Sequence, residues 1–165
     1  MSESTSLLSI ILKQLSICLK PLGFKRKGHT LVRNQDDLIQ FVNVQSSTTS
    51  RADRVKFTVN LAVYSESVNQ LFDPGDDIGC RGWLDNHWET RLGYLSEVKG
   101  DFWWSACNED EAVRCAAEIA DLISGAGMAE FTRYSSTMAL LTYIASGRGL
   151  KAERGQELIL ELGAS

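Results

Sequence analysis

Three consecutive cations, Lys25, Arg26 and Lys27, precede Gly28 and His29, and such a group could hold a phosphate or a carboxylate. The surrounding residues predict a short strand that turns at Gly28. In a strand, Lys25 and Lys27 share one face and Arg26 lies on the other, so the triplet does not form one patch. This favours a solvated strand that protects the edge of a sheet. Docking of an acidic partner is the alternative.

Polar residues alternate with apolar ones along two later segments, and their side chains could hydrogen-bond a peptide or a small polar ligand. The polar faces carry Phe41, Asn43 and Gln45 in the first segment, and Lys56, Thr58 and Asn60 in the second. If the two strands pair antiparallel, these residues form one polar patch with an aromatic ring at its edge. Simple exposure to solvent would produce the same pattern.

Tryptophans are concentrated within residues 83–104, close to Arg91. Trp103 and Trp104 are adjacent, so one can pack inward while the other lines a groove or an interface. Tryptophan and arginine are common in binding hot spots, although core packing also explains the cluster. Together with the polar patch, it predicts a ligand or partner surface. The predicted surface residues are Asn43, Gln45, Lys56, Asn60, Trp88, Arg91 and Trp103.

A second hypothesis is an enzyme that acts on a small or peptide substrate. Arg91, His87, Asp85 and Glu89 are the candidate groups, and they need a pocket that brings at least two of them within hydrogen-bond reach. Their spacing alone assigns no catalytic residue. A satisfied or exposed His87 is the simpler interpretation.

No pattern in the chain predicts a metal site or a cofactor. The acidic turn at residues 73–77 lacks the spacing of a calcium loop, and no glycine cluster has the pattern of a phosphate cradle. No two of the four cysteines have C-x-x-C spacing, which favours free, structural thiols in a reducing cytoplasm.

The order of periodic segments predicts an α+β fold. Residues 1–23 form an apolar-striped helix capped by Ser4, Thr5 or Ser6, and residues 24–106 form an antiparallel sheet of about five strands with a loop at residues 65–86. Residues 107–165 form helices that cover one face of the sheet. The first of them begins at Asn108 and is closed by Gly125. The whole chain is predicted to be a single domain.

Charge is unevenly distributed along the 165 residues, whose net charge is −4. Residues 1–56 contain nine Lys/Arg and four Asp/Glu, whereas the remainder contains eight and seventeen. The basic first third leaves weak nucleic-acid binding as a third hypothesis, but a pI of about 5.2 makes phosphate repulsion an obstacle. No apolar run is long enough for a membrane span, and the first residues do not resemble a signal peptide.

Several consecutive motifs resemble the bacterial domain-of-unknown-function 4304 family. They are "LKPLGFKRKGHTLVR" at residues 19–33, "LIQFVNVQSS" at 38–47, "FTVNLAVY" at 57–64, and "RLGYL" with "DFWW" within 91–104. The resemblance implies a small cytoplasmic α+β domain and supplies no activity, cofactor or catalytic residue.

The leading prediction is therefore a non-enzymatic, cytoplasmic binding or interaction domain of immunity-like or adaptor type. Its partner is predicted to be another protein and not nucleic acid or a membrane. The sequence leaves the oligomeric state open.

Overall fold

The N-terminal helix forms as its apolar spacing predicts. The structure is a computed structural model that describes residues 6–51, 53–147 and 150–163. Helix α1 spans Leu7–Leu19, and the Ser6 hydroxyl caps it by accepting a hydrogen bond from the Ser9 amide at 3.1 Å. The other two predicted caps lie outside the described residues. The stripe buries Ile11, Leu12, Leu15 and Leu19, whereas Cys18, which has the same three- and four-residue spacing in the sequence, is exposed.

A six-stranded antiparallel sheet follows, which confirms the α+β class. The strands are β1 (Lys25–Lys27), β2 (Thr30–Gln35), β3 (Leu38–Ser46), β4 (Val55–Ser65), β5 (Trp88–Arg91) and β6 (Trp104–Ala106). Their order is β1-β2-β3-β4-β5, and β6 also pairs with β4. Because β5 pairs with residues 60–63 and β6 with residues 55–57, two short strands share one side of β4.

Alternation along β4 decides which face of the sheet is the core. The side chains of Val55, Phe57, Val59, Leu61 and Val63 are almost fully buried and belong to the main core, together with α1 and the later helices. The intervening residues therefore point to the opposite side, which we call the outer face. This arrangement leaves the outer face free to carry polar groups.

Helix α3 (Glu109–Leu122) begins with reciprocal capping. The Asn108 side chain accepts from the Glu111 amide at 2.9 Å, and the Glu111 carboxylate accepts from the Cys107 amide at 2.6 Å. The prediction that Gly125 closes this helix is wrong. The backbone stays right-handed through a π-helical turn, Ile123–Gly127, and continues into α4 (Met128–Arg133).

The predicted loop at residues 65–86 contains a helix, α2 (Glu66–Phe72), which Ser65 caps through its hydroxyl. Residues 73–86, which we call the strap, then cross the outer face. The chain ends in α5 (Thr137–Ser146), capped by Ser136, and α6 (Leu150–Gly163), which pack together. Within the described part of the chain, no helix combines the length and the apolar character needed to cross a bilayer.

Candidate binding site on the outer face of the sheet

A row of polar side chains crosses the outer face over five strands. The strand register aligns Lys27, Thr30, Asn43, Asn60 and Arg91, and we call them the polar row. Asn43 Nδ2 donates to Thr30 Oγ1 at 3.0 Å, and Asn60 Nδ2 donates to Asn43 Oδ1 at 3.2 Å. The predicted polar patch therefore exists as a connected network, with a cation at each end.

The centre of this network is buried. Asn60 Nδ2 also donates to Gln45 Oε1 at 3.0 Å, so two strands are joined by amide side chains. Asn43 is 7% exposed and Asn60 is 5% exposed. Buried amides that bond one another are poor ligand groups, because breaking their bonds costs free energy. We therefore assign these amides to the support of the surface, whose charged groups lie at its two ends.

An apolar row lies beside the polar row, and the strap covers part of it. Cys80 and Trp83 pack against Phe41, Ala62 and Tyr64. Phe41, expected at the edge of the patch, is consequently only 4% exposed. The covered rings make the middle of the outer face a second small core.

A groove of about 580 Å³ remains open between the β1–β2 hairpin and the strap, and we call it the cationic groove. It is lined by Lys25, Arg26, Lys27, Thr30, Val32, Asn34, Ile39, Phe41, Cys80, Arg81, Gly82 and Trp83. Four of these residues are cationic and none carries a carboxylate. Within the described residues, none of the four cations forms an ion pair. The groove thus combines an apolar floor with a concentration of positive charge.

The basic triplet is divided by the pleat, as predicted. Lys25 lies opposite Val32 and Lys27 opposite Thr30, which puts both lysines on the outer face. Arg26 has the opposite parity, and its Nε donates to the Gly28 carbonyl at 3.1 Å across a turn in which Gly28 has a φ of 65°. β1 is an edge strand, so its exposed cations also discourage pairing with a foreign sheet.

Arg91 and Trp103 meet at the far end of the polar row. Arg91 Nη1 contacts both carboxylate oxygens of Asp101, at 2.9 and 3.1 Å. The guanidinium carbon lies 5.1 Å from the centre of the Trp103 ring. This cluster is part of the predicted surface, but its cation is already paired.

Two of the predicted surface residues lie elsewhere. Trp88 is 3% exposed and stacks on Tyr134 at 4.7 Å between ring centres, on the helical side of the sheet. It is three residues from Arg91, and an odd separation in a strand puts two side chains on opposite faces. Lys56 is on the outer face but lines a different groove, with Arg51, Arg54 and Cys107.

The four candidate catalytic groups are not joined to one another. The His87 ring stacks on Tyr64 at 5.1 Å, and its Nδ1 accepts from the Ser65 amide at 3.0 Å. Burial lowers the pKa of His87 to about 4, so the ring is neutral at pH 7. Asp85 accepts from the Arg81 amide. In residues 6–51, 53–147 and 150–163, no hydrogen bond links any two of His87, Asp85, Glu89 and Arg91.

A second groove, of about 570 Å³, continues from the cationic groove along the same strands. Both grooves are lined by Asn34, Ile39 and Cys80. The second is acidic, with carboxylates from Asp36, Asp37, Glu66, Asp76 and Asp77. The outer face therefore changes sign between the two ends of β2.

Sequence reasoning placed Lys25 and Lys27 on one face but missed their neighbours Arg81 and Trp83. The alternation of faces along the strands could have placed the two lysines on the same face as Val32 and Phe41. The hairpin register pairs Lys25 with Val32, and Val32 with Phe41. No sequence period exists in the strap, so nothing in its pattern indicates that it crosses the sheet.

Comparison with known families and proteins gives a family match. No curated protein and no solved structure matches the chain. The model of a domain of unknown function, DUF4304, matches residues 15–133, which is well over half of the chain. The matched region begins within α1 and ends with α4, so it contains the whole sheet and both grooves. This protein therefore belongs to the DUF4304 family.

Proposed function

We propose that this protein is a binding domain that holds its partner or ligand in the cationic groove on the outer face of the sheet. The observation that carries the proposal is the concentration of four cations around an apolar floor, none of them ion-paired within the described residues, in a chain whose net charge is −4. A positive region on a negative protein attracts anions locally and repels them elsewhere, which favours one site over the remaining surface.

The surroundings of the groove support recognition of a partner. Leu84 is 75% exposed and follows Trp83 in the part of the strap that forms one wall. Large exposed apolar side chains next to a charged groove are typical of interaction sites. The polar row stiffens the sheet below, since its amides bond across β2, β3 and β4. Such a domain acts by occupancy, as an adaptor or immunity-like protein does.

Amide chemical-shift mapping by NMR tests the proposal. A panel of aromatic carboxylates and their neutral amide analogues is titrated into the full chain. We expect the acids to shift amides of β1, β2 and the strap, and the neutral analogues to shift them much less. Shifts confined to other surfaces, or equal shifts from acids and neutral analogues, would overturn the proposal.

A further inference from the structure

The shape of the cationic groove matches one extended stretch of chain. Resting on the proposed function, we infer that the groove holds an extended acidic segment of a partner protein, about four residues long, lying along β2. Thr30, Val32 and Asn34 form the floor from alternate positions of one strand. They span about 13 Å, and the three strands β1–β3 give a width of about 10 Å.

The side chains that line the groove repeat with the same period as the side chains of an extended ligand. Outward side chains of β2 recur every second residue, which is also how an extended segment presents its own side chains. A segment lying over β2 can therefore direct every second side chain into the groove. A helix repeats every 3.6 residues and loses this match after one contact.

The order of side chains along β2 defines what the segment must offer. Lys27 and Lys25 stand beside Thr30 and Val32, and Arg81 approaches from the strap. Carboxylates of the segment pair with these cations. Val32, Ile39 and Trp83 are only partly buried and give the groove its apolar area, so at least one side chain of the segment must be apolar. The charge pairs at such a rim set selectivity and association rate, while apolar burial supplies most of the affinity.

The groove, and not the free edge of β1, is the docking position. β1 has only three residues and each of them is an exposed cation. Short, charged edges of this kind oppose the addition of another strand. Lys25 and Lys27 also project over the groove, where their charge is useful to an acidic partner.

Fluorescence anisotropy with short capped peptides tests this inference. The probe is the labelled hexapeptide Glu-Glu-Leu-Phe-Glu-Glu, which presents both Glu and an apolar side chain on each of its two faces when extended. Its comparison peptide has Lys in place of Glu. We expect the acidic peptide to bind and the basic peptide to bind at least tenfold more weakly. The double variant Lys25→Glu/Lys27→Glu should weaken the acidic peptide at least tenfold and strengthen the basic one.

The matched control is Lys13→Glu/Lys20→Glu, which makes the same charge change at exposed positions outside the groove. Its dissociation constant for the acidic peptide, corrected for the difference in net charge, should lie within about twofold of the wild-type value. Circular dichroism should show that all variants are folded. Equal losses in both double variants would overturn the inference, because binding would then follow net charge alone.

The remaining outcomes separate this inference from the proposed function. If aromatic carboxylates shift groove amides but no peptide binds, the segment is wrong and the binding site stands. If a single-stranded oligonucleotide competes better than the acidic peptide, the partner class is wrong. If no probe shifts a groove amide, both proposals fail.

Discussion

Asn60 in β4 lies directly opposite Asn43 in β3, and its side-chain amide donates to Asn43 and to Gln45 at once. Both donor hydrogens of one buried amide are therefore used across a single pair of strands. These hydrogen bonds join residues that lie on the two arms of one hairpin and are far apart in the sequence. This arrangement lets one side chain of β4 hold two positions of β3.

Replacing Asn60 by Asp should destabilise the fold by about 2–4 kcal/mol at pH 7, because a buried carboxylate would face two carbonyl oxygens without a donor. Urea unfolding measures the effect. Asn34→Asp is the control, since Asn34 is exposed on the same face, and should change stability by less than about 0.5 kcal/mol. Similar losses in the two variants would contradict the assigned role.

His87 should make the protein less stable in mild acid. Burial lowers its pKa in the folded state to about 4, below the ordinary value of 6.5, so the unfolded chain takes up the proton first. This contribution is fully present above pH 6.5, declines between pH 6.5 and 4, and amounts to about 3 kcal/mol in total.

Unfolding free energies measured at intervals from pH 7.5 to 4 would reveal this decline. His87→Gln should reduce the decline of the unfolding free energy between pH 6.5 and 4. The control His29→Gln, at an exposed position, should leave this decline as in the wild type. An unchanged slope in His87→Gln would show that other groups cause the acid sensitivity.

Gly93 should tolerate no side chain. A Cβ atom there would clash with the Gly100 carbonyl oxygen and lie 2.8 Å from the Phe102 amide nitrogen, so backbone would have to move. We expect Gly93→Ala to cost more than about 2 kcal/mol in thermal or urea unfolding. The matched control is Gly125→Ala, where open space and helical backbone predict a gain of up to about 1 kcal/mol. If Gly93→Ala were more stable than Gly125→Ala, the close backbone contact assigned to Gly93 would be refuted.

The ion pair between Arg91 and Asp101 should contribute little to stability. Their side chains are 31% and 47% exposed, and pairs of this exposure are worth about 0–1 kcal/mol. A double-mutant cycle with Arg91→Gln and Asp101→Asn measures the coupling, which should decrease in high salt. A coupling near 3 kcal/mol that persists in salt would show that the cluster is a structural support.

The sequence predicts the main elements because local rules control them. The alternation from Val55 to Val63 identifies both faces of β4, and the caps at Ser6 and Asn108 fix two helix starts. The parity of Lys25 and Lys27 also follows from local geometry. These features depend on neighbours a few residues apart, so they can be inferred without the rest of the fold.

The candidate site could be predicted only in part, because long-range packing completes it. The strap brings Cys80 and Trp83 onto Phe41, and no periodic signal in an irregular segment encodes that contact. Gly125 misleads for a different reason: a glycine is compatible with a helix end but does not force one, and here the chain continues through a π-helical turn. Trp88 could have been corrected from its odd separation from Arg91 alone.

The two grooves on the outer face share Asn34, Ile39 and Cys80, with cations on one side of that boundary and carboxylates on the other. A segment lying along β2 therefore meets a potential that reverses sign over its path. Acidic residues are attracted at the Thr30 end and repelled beyond Asn34. A bound segment that is acidic at one terminus only is consequently held in one of its two possible orientations along β2. The sheet therefore distinguishes a peptide sequence from the same sequence in reverse order.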